Sequence, residues 1–100
     1  MDKLRRHPRV PLILEVRWES LSGKHTARTT DISPGGCYIE TIGQVTVGEQ
    51  VRFEIQLPTG NWMPLLGEVV YRHPNLGFGL RFIGLTEQDQ SVLTQTLSGG

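Results

Sequence analysis

Two short segments of the chain carry residue types that bind an anionic purine. The first spans residues 5–9, in which Arg5, Arg6 and Arg9 supply guanidinium groups. These groups are always charged, and each can donate two parallel hydrogen bonds to a phosphate or to the O6/N7 edge of guanine. The second spans residues 31–36 and has the sequence DISPGG. Its Asp31 carboxylate can accept from the ring N–H and amino group of guanine. Together the two segments could meet the needs of a planar, phosphate-bearing nucleotide.

The second segment has two interpretations. In the first, Ser33 and the Gly35-Gly36 backbone approach a ligand closely because no bulky side chain obstructs them. In the second, Asp31 and Ser33 cap their own backbone in a turn, and the glycines supply positive φ. The two are compatible, because a loop fixed by its own hydrogen bonds presents its remaining groups already organised for a ligand.

The arginine segment is expected to be an extended arm. Pro8 and Pro11 restrict the residues before them to extended conformations, which disfavours a helix. On an extended chain, Arg5 and Arg9 lie on the same side, about 13 Å apart, a span suited to a dinucleotide. From composition alone, a solvated tail is the competing interpretation.

Length and charge limit the classes of function. One hundred residues predict a single domain. Ten Lys and Arg balance ten Asp and Glu, so a broad basic surface for long nucleic acid is not expected. The basic residues are unevenly spread, however: Lys3, Arg5, Arg6 and Arg9 lie in the first nine positions, opposed there only by Asp2. That concentration suits a small anion.

The sequence offers little support for catalysis, a metal or a membrane. It has no GxSxG, Walker or CxxC motif, so we expect a binding protein without a cofactor rather than an enzyme. His25 and His73 lack a second ligand at metal spacing, which predicts no zinc site. The single cysteine, Cys37, and the lack of an apolar span indicate the reducing cytoplasm and no membrane insertion.

Alternation of apolar and polar residues predicts six short strands separated by turns. They cover approximately residues 12–18, 25–30, 37–42, 51–57, 63–72 and 78–82. The segment at residues 32–36 is predicted to be a loop that follows Asp31 at the exposed end of the sheet. Six strands with frequent turns favour an all-β fold, a small antiparallel β-barrel, since closure protects its edges.

A helix is predicted after the barrel. Thr86 and Asp89 have the spacing of a capping box, and an apolar stripe follows. The stripe contains Leu85, Val92, Leu93 and Leu97. A helix this short needs tertiary contacts, so we expect it to pack over one end of the barrel or on a partner. The expected organisation is a mobile arm at 1–9, a barrel at 10–84, a helix at 86–97 and a disordered tail at 98–100, and the natural chain could continue.

The two motifs in this order resemble the PilZ family, bacterial receptors for the second messenger cyclic di-GMP. Arg5 and Arg9 match the family's pair of arginines separated by three residues. Asp31, Ser33 and Gly36 match its Asp/Asn-x-Ser-x-x-Gly pattern. The downstream segment GFGLRF, residues 77–82, and the terminal helix are also similar, so the resemblance covers nearly the whole chain.

The resemblance implies a receptor whose arm folds across bound cyclic di-GMP and so signals to a protein partner or a fused output domain. It implies that Asp31 and Ser33 line the guanine and phosphate region and that Gly36 permits close approach. From the residues alone, Tyr71 or Arg72 could stack on guanine, although Tyr71 could equally pack in the barrel. Arg81 could face the same surface or pair with a glutamate.

Alternatives of other classes stay open. A protein of the same fold could serve as a nucleotide-independent protein–protein adaptor, docking through the arm or the terminal helix. A barrel that binds single-stranded nucleic acid is disfavoured, because the chain is neutral and its seven aromatic residues are mostly spaced as core. Ligand stoichiometry is also open. Leu4, which has no charge just before the motif, favours a single bound molecule, and Arg6 permits a stacked pair.

Overall fold

The polypeptide winds into a closed antiparallel barrel followed by one helix. The computed structural model describes residues 10–20 and 23–98. The strands are β1 (Glu15–Ser20), β2 (Gly23–Ser33), β3 (Gly36–Glu40), β4 (Gln50–Gln56), β5 (Trp62–His73) and β6 (Gly77–Phe82), and the helix is α1 (Glu87–Ser98). Their order around the barrel is β1-β2-β3-β6-β5-β4. The predicted six-stranded barrel with a C-terminal helix is confirmed.

The barrel interior is filled by the apolar half of each alternating strand. Trp18 is almost fully buried, stacks on His25 at 4.3 Å between ring centroids, and meets Phe78 edge-on at 5.2 Å. The β4 strand buries Val51, Phe53 and Ile55 in the same way. Each such side chain contributes about 1.5–3 kcal/mol relative to an exposed position, so the strand alternation determines the core.

Two β-bulges change which residues face outward. Between Thr29 and Asp31 the β2–β3 register shifts by one residue, so Thr29 is buried inside while Asp31 pairs with Tyr38 on the outer face. Between Val69 and Tyr71 the β5–β6 register shifts likewise, so Val69 is buried and Tyr71 faces outward. In a regular strand, residues two apart share a face, so each bulge reverses the orientation of the residues after it.

A buried threonine attaches the segment before β1 to β2. The Thr29 hydroxyl donates to the Leu12 carbonyl at 2.7 Å and accepts from the Leu14 N–H at 2.9 Å. Further along, Val10 and Ile32 exchange two backbone hydrogen bonds of 2.9 and 3.0 Å. The chain from residue 10 to 14 therefore runs beside residues 29–32 of β2.

The predicted strand boundaries differ from the structure by up to three residues, and two of these differences concern the segments around the motif. Regular pairing in β1 begins at Glu15 rather than at residue 12. The N–H of Leu14 donates to the Thr29 hydroxyl and not to a backbone carbonyl of β2. The predicted loop at 32–36 is wrong: β2 continues through Ser33, and β3 begins at Gly36. Only Pro34 and Gly35 form the turn, because Ser33 pairs with Gly36.

The helix begins and packs as its sequence predicts. The Thr86 hydroxyl accepts from the Asp89 N–H at 3.0 Å, and the Asp89 carboxylate accepts from the Thr86 N–H at 3.2 Å, which is a reciprocal cap. Leu93 is fully buried, and α1 contacts β2. The helix spans Glu87–Ser98, one residue later at each end than the predicted 86–97, so Ser98 belongs to the helix and not to the predicted tail. Within the described residues, no helix has the length and apolarity needed to cross a bilayer.

The Thr29 hydroxyl gives a direct test of this attachment. Thr29→Val should lower the free energy of unfolding by about 1–3 kcal/mol, because it leaves a buried N–H and a carbonyl without their partner. Thr26→Val, at an exposed position of the same strand, should change it by no more than about 0.5 kcal/mol. Urea unfolding of both variants measures the difference, and equal values would contradict a stabilising role for the hydroxyl.

Candidate functional site

The outer face formed by β2, β3, β6 and β5 carries a row of aligned residues. Asp31 pairs with Tyr38, Tyr38 with Gly79, and Gly79 with Tyr71. Directly paired residues of antiparallel strands project to the same face, so the carboxylate and both tyrosine rings share one surface. Both bulges lie in this row, and it is they that direct Asp31 and Tyr71 outward.

Three rings form an aromatic cluster, Tyr38, Tyr71 and His73, beside Asp31. The two tyrosine rings are 6.1 Å apart between centroids and inclined by only 23°. The His73 ring lies 5.5 Å from Tyr71 and 5.8 Å from Tyr38, and its Nδ1 atom hydrogen-bonds the Tyr38 hydroxyl at 3.0 Å. Such rings present flat apolar area on which a planar base can stack.

Glycines of β6 make room for these rings. A Cβ atom on Gly79 would stand 2.6 Å from the Tyr71 ring, and one on Gly77 would stand 3.0 Å from the Tyr38 ring. Both distances are shorter than an ordinary carbon–carbon contact. The tyrosines therefore lie flat over a strand that has no side chain beneath them.

A second row runs parallel to the first on the same face. Ser33 pairs with Gly36, Gly36 with Arg81, and Arg81 with Glu68. The guanidinium of Arg81 donates to the Glu68 carboxylate. Of the two alternatives predicted for Arg81, that it faces the site's surface or pairs with a glutamate, the structure has both.

Ser33 and Gly36 have local structural roles. The Ser33 hydroxyl accepts from the Gly35 N–H at 3.2 Å and donates to the Gly36 carbonyl at 3.4 Å, which fixes the turn. A Cβ on Gly36 would overlap the Leu80 carbonyl oxygen, so glycine is needed there for contact with β6. The predicted alternative of positive φ is wrong, since neither Gly35 nor Gly36 adopts it.

The structure does not bring all the predicted site residues together. Asp31, Ser33, Gly36, Tyr71 and Arg81 lie on the outer face of β2, β3, β6 and β5. Arg72 pairs with the buried Phe78, which puts it on the opposite face of β5, where it lines a small recess with residues 43–45. Arg5, Arg6 and Arg9 lie outside the described residues.

The electrostatic surroundings of Tyr38 are negative. Burial first, and then the neighbouring Tyr71, Glu40 and Asp31, raise the pKa of Tyr38 above its ordinary value of 10.0. Each cause disfavours a charged phenolate. The Tyr38 hydroxyl therefore keeps its proton to higher pH than an ordinary tyrosine does.

Sequence reasoning missed three residues of this face: Tyr38, His73 and Glu68. A signal for Tyr38 was present, because it lies between the buried Cys37 and Ile39 and so must face outward in a strand. His73 and Glu68 carried no such signal, because their positions depend on the β5–β6 register and its bulge.

Comparison with known proteins identifies the family. A family model described as the PilZ domain matches residues 3–99. No curated protein matches the chain.

Several solved structures share the fold. The Bacillus subtilis inhibitor of motility, MotI/DgrA, superposes with a TM-score of 0.80 at 20% identity, covering 97% of this chain and 50% of that one. The PilZ domain of YcgR from Escherichia coli, solved with c-di-GMP, has a TM-score of 0.80 at 13% identity and coverages of 95% and 89%. The K. pneumonia MrkH–c-di-GMP complex has a TM-score of 0.78 at 18% identity, with coverages of 91% and 49%. The chain thus spans about half the length of MotI/DgrA and of MrkH.

The structural role of Gly36 predicts a stability effect without ligand. Gly36→Ala should destabilise the fold by about 1–3 kcal/mol, because its methyl group would overlap the Leu80 carbonyl unless β3 moves. Gly35→Ala, at the adjacent exposed position, should change stability by at most about 0.5 kcal/mol. Urea unfolding distinguishes them, and a fully stable Gly36→Ala variant would contradict the close packing of β3 on β6.

The raised pKa of Tyr38 predicts loss of stability in alkali. In the unfolded chain this tyrosine ionises near pH 10, whereas in the folded chain it keeps its proton to higher pH. The stabilising difference is complete below pH 10 and decreases as the pH rises through the folded pKa. The urea midpoint of the wild type should therefore fall more steeply between about pH 9 and pH 11 than that of Tyr38→Phe. Parallel curves for the two proteins would refute the shift.

Proposed function

Because this chain belongs to the PilZ domain family, we propose that it is a receptor for cyclic di-GMP. The motif residues Asp31, Ser33 and Gly36 lie at the turn end of the β2–β3 hairpin, on the face that carries the aromatic cluster. Two of the proteins that share its fold were solved with c-di-GMP bound. These observations support a nucleotide-binding role for this face.

The observation that carries the proposal is the pairing of Val10 with Ile32. Two backbone hydrogen bonds hold Val10 against the residue between Asp31 and Ser33. The arginine pair, Arg5 and Arg9, precedes Val10 directly in the sequence. An arm that begins at this point needs no long connection to reach a ligand bound beside Asp31.

Each proposed contact follows from the chemistry of the ligand. The Asp31 carboxylate accepts from the guanine N1–H and amino group, which is a polarity that adenine does not offer. The guanidinium groups of Arg5, Arg6 and Arg9 bind the two phosphates and the guanine acceptor edge. The tyrosines of the aromatic cluster provide the surface against which a base stacks.

Ser33, Gly35 and Gly36 act on this ligand mainly by shaping the turn. The hydrogen bonds of Ser33 keep the turn in one conformation before any ligand arrives, so little conformational entropy is lost on binding. Arg72 makes no contribution in this proposal, because its side of β5 faces away from the motif.

The arm converts ligand concentration into a signal. Contacts between its guanidinium groups and the phosphates offset the entropy of ordering the arm across the ligand. The change in arm position then regulates a cytoplasmic protein partner or an output domain fused to this one. An effector role of this kind accords with the fold shared with MotI/DgrA, an inhibitor of motility.

A nucleotide-independent adaptor is the second candidate, and one observation favours it. Ile42 and Leu76 are 79% and 64% exposed, and the N–H of Thr41, which precedes Ile42, donates to the Leu76 carbonyl. An apolar surface of this kind can contact another protein. An adaptor would bind its partner equally with and without cyclic di-GMP, whereas a receptor would bind it only in one of the two states.

Titration calorimetry tests the receptor proposal. Wild-type protein should bind cyclic di-GMP in preference to cyclic di-AMP, GTP and cyclic GMP. Arg9→Ala and Asp31→Ala should each weaken binding at least about tenfold, because each removes a charge-assisted hydrogen bond worth roughly 1.5–3 kcal/mol.

The matched control is Arg52→Ala, which removes an exposed arginine from β4 on the other side of the barrel and should bind as the wild type does. No binding by the wild type at high micromolar ligand would refute the proposal. Unchanged binding by Arg9→Ala would refute the assigned site.

A further inference from the structure

The ion pair between Arg81 and Glu68 lies inside the proposed binding face. Arg81 on β6 belongs to the row that starts at Ser33. Glu68 on β5 pairs with Arg81 on the side away from Ser33. Their side chains are 62% and 33% exposed, and the guanidinium donates to the carboxylate. An arginine on a phosphate-binding face is therefore occupied by a carboxylate of its own protein.

Arg81 has a charged neighbour on one adjacent strand and a residue without a side chain on the other. On one side is Glu68, which holds the guanidinium. On the other is Gly36, which has no side chain and lies between Arg81 and Ser33. Adjacent strands are about 4.8 Å apart, so Ser33 lies about 10 Å from Arg81, within reach of an arginine that turns toward a ligand between them. Gly36 places no side chain between Arg81 and Ser33, and Gly36 and Ser33 are themselves buried.

We propose that Glu68 is a latch that holds Arg81 away from the motif until a phosphate of the ligand lies over Gly36 and takes the guanidinium from it. This inference rests on the proposed function and adds to it a regulated contact. Glu68 is a positioning residue here, since it acts through Arg81 and does not touch the ligand. The ligand chemistry that opens the latch is a phosphate group presented by a bound nucleotide.

The exchange is favourable on physical grounds. An exposed ion pair between side chains is among the weakest electrostatic contacts in a protein, because water screens both charges. A bidentate contact of guanidinium with phosphate on a partly covered surface is stronger. The released Glu68 carboxylate is one-third exposed and can be solvated again, so its release carries a small cost.

The chain contains a matched control pair on the opposite side of the barrel. Arg17 on β1 and Glu54 on β4 form an ion pair of 2.8 Å with exposures of 49% and 40%. Glu54→Gln removes the same charge by the same chemistry at a distance from the motif. Any effect of net charge alone would appear in this variant too.

The test is the cyclic di-GMP affinity of five proteins: wild type, Glu68→Gln, Arg81→Ala, the double variant of these two, and Glu54→Gln. Glu68→Gln should bind about three- to fivefold more tightly, because Arg81 no longer has to leave an ion pair. Arg81→Ala should bind about tenfold more weakly. In the Arg81→Ala background, Glu68→Gln should bring no improvement, and Glu54→Gln should bind as the wild type does.

The outcomes separate the latch from the receptor proposal. Wild-type binding with an unchanged or weaker Glu68→Gln overturns the latch alone, and so does an improvement that persists without Arg81. No binding by either protein overturns both proposals. The thermal midpoints of Glu68→Gln and Glu54→Gln should agree, because a structural role for Glu68 would lower only the first.

Discussion

The outer face depends on two β-bulges placed at the same level of neighbouring strand pairs. One extra residue in β2 turns Asp31 outward when Thr29 faces the core, and one extra residue in β5 does the same for Tyr71 after the buried Val69. Because strand alternation is otherwise strict, removing either bulge would point one of these side chains into a filled barrel. The bulges thus let β2 and β5 each place one residue in the core and the residue two positions later on the outer surface.

In the proposed receptor, the N-terminal segment supplies most of the positive charge that meets the ligand. The whole chain is neutral, yet the surroundings of Tyr38 are negative through Glu40 and Asp31, and Arg81 is neutralised by Glu68. The arginines of the N-terminal segment are grouped before Val10, whose backbone bonds to Ile32 beside the motif. In the proposed receptor, recognition of the base and attraction of the phosphates therefore belong to different parts of the chain.

Much of the fold was predictable from local pattern, and the site was predictable only in part. The alternation in β4 and the Thr86–Asp89 cap indicated their elements because both signals are contained in a few consecutive residues. The extension of β2 through Ser33 was not predictable, since the motif's Pro and Gly residues resemble a longer loop and only pairing with Gly36 shortens it. The grouping of Tyr38 and His73 depends on a bulged register between distant strands, which no local pattern encodes.

Gly36 illustrates how one residue of a sequence motif answers two physical demands. Its missing Cβ is required by the Leu80 carbonyl, whether or not a ligand is ever bound. The same glycine places no side chain between Ser33 and Arg81 in their row. A larger residue would push β3 from β6 and would also stand in the path of the arginine. Packing and access to the face therefore impose the same choice, and the motif glycine does not by itself distinguish a binding site from a tightly packed sheet. The neighbouring Asp31 points outward beside two stacked tyrosines and is not needed to fill the core, which is why the receptor proposal assigns the guanine contact to it.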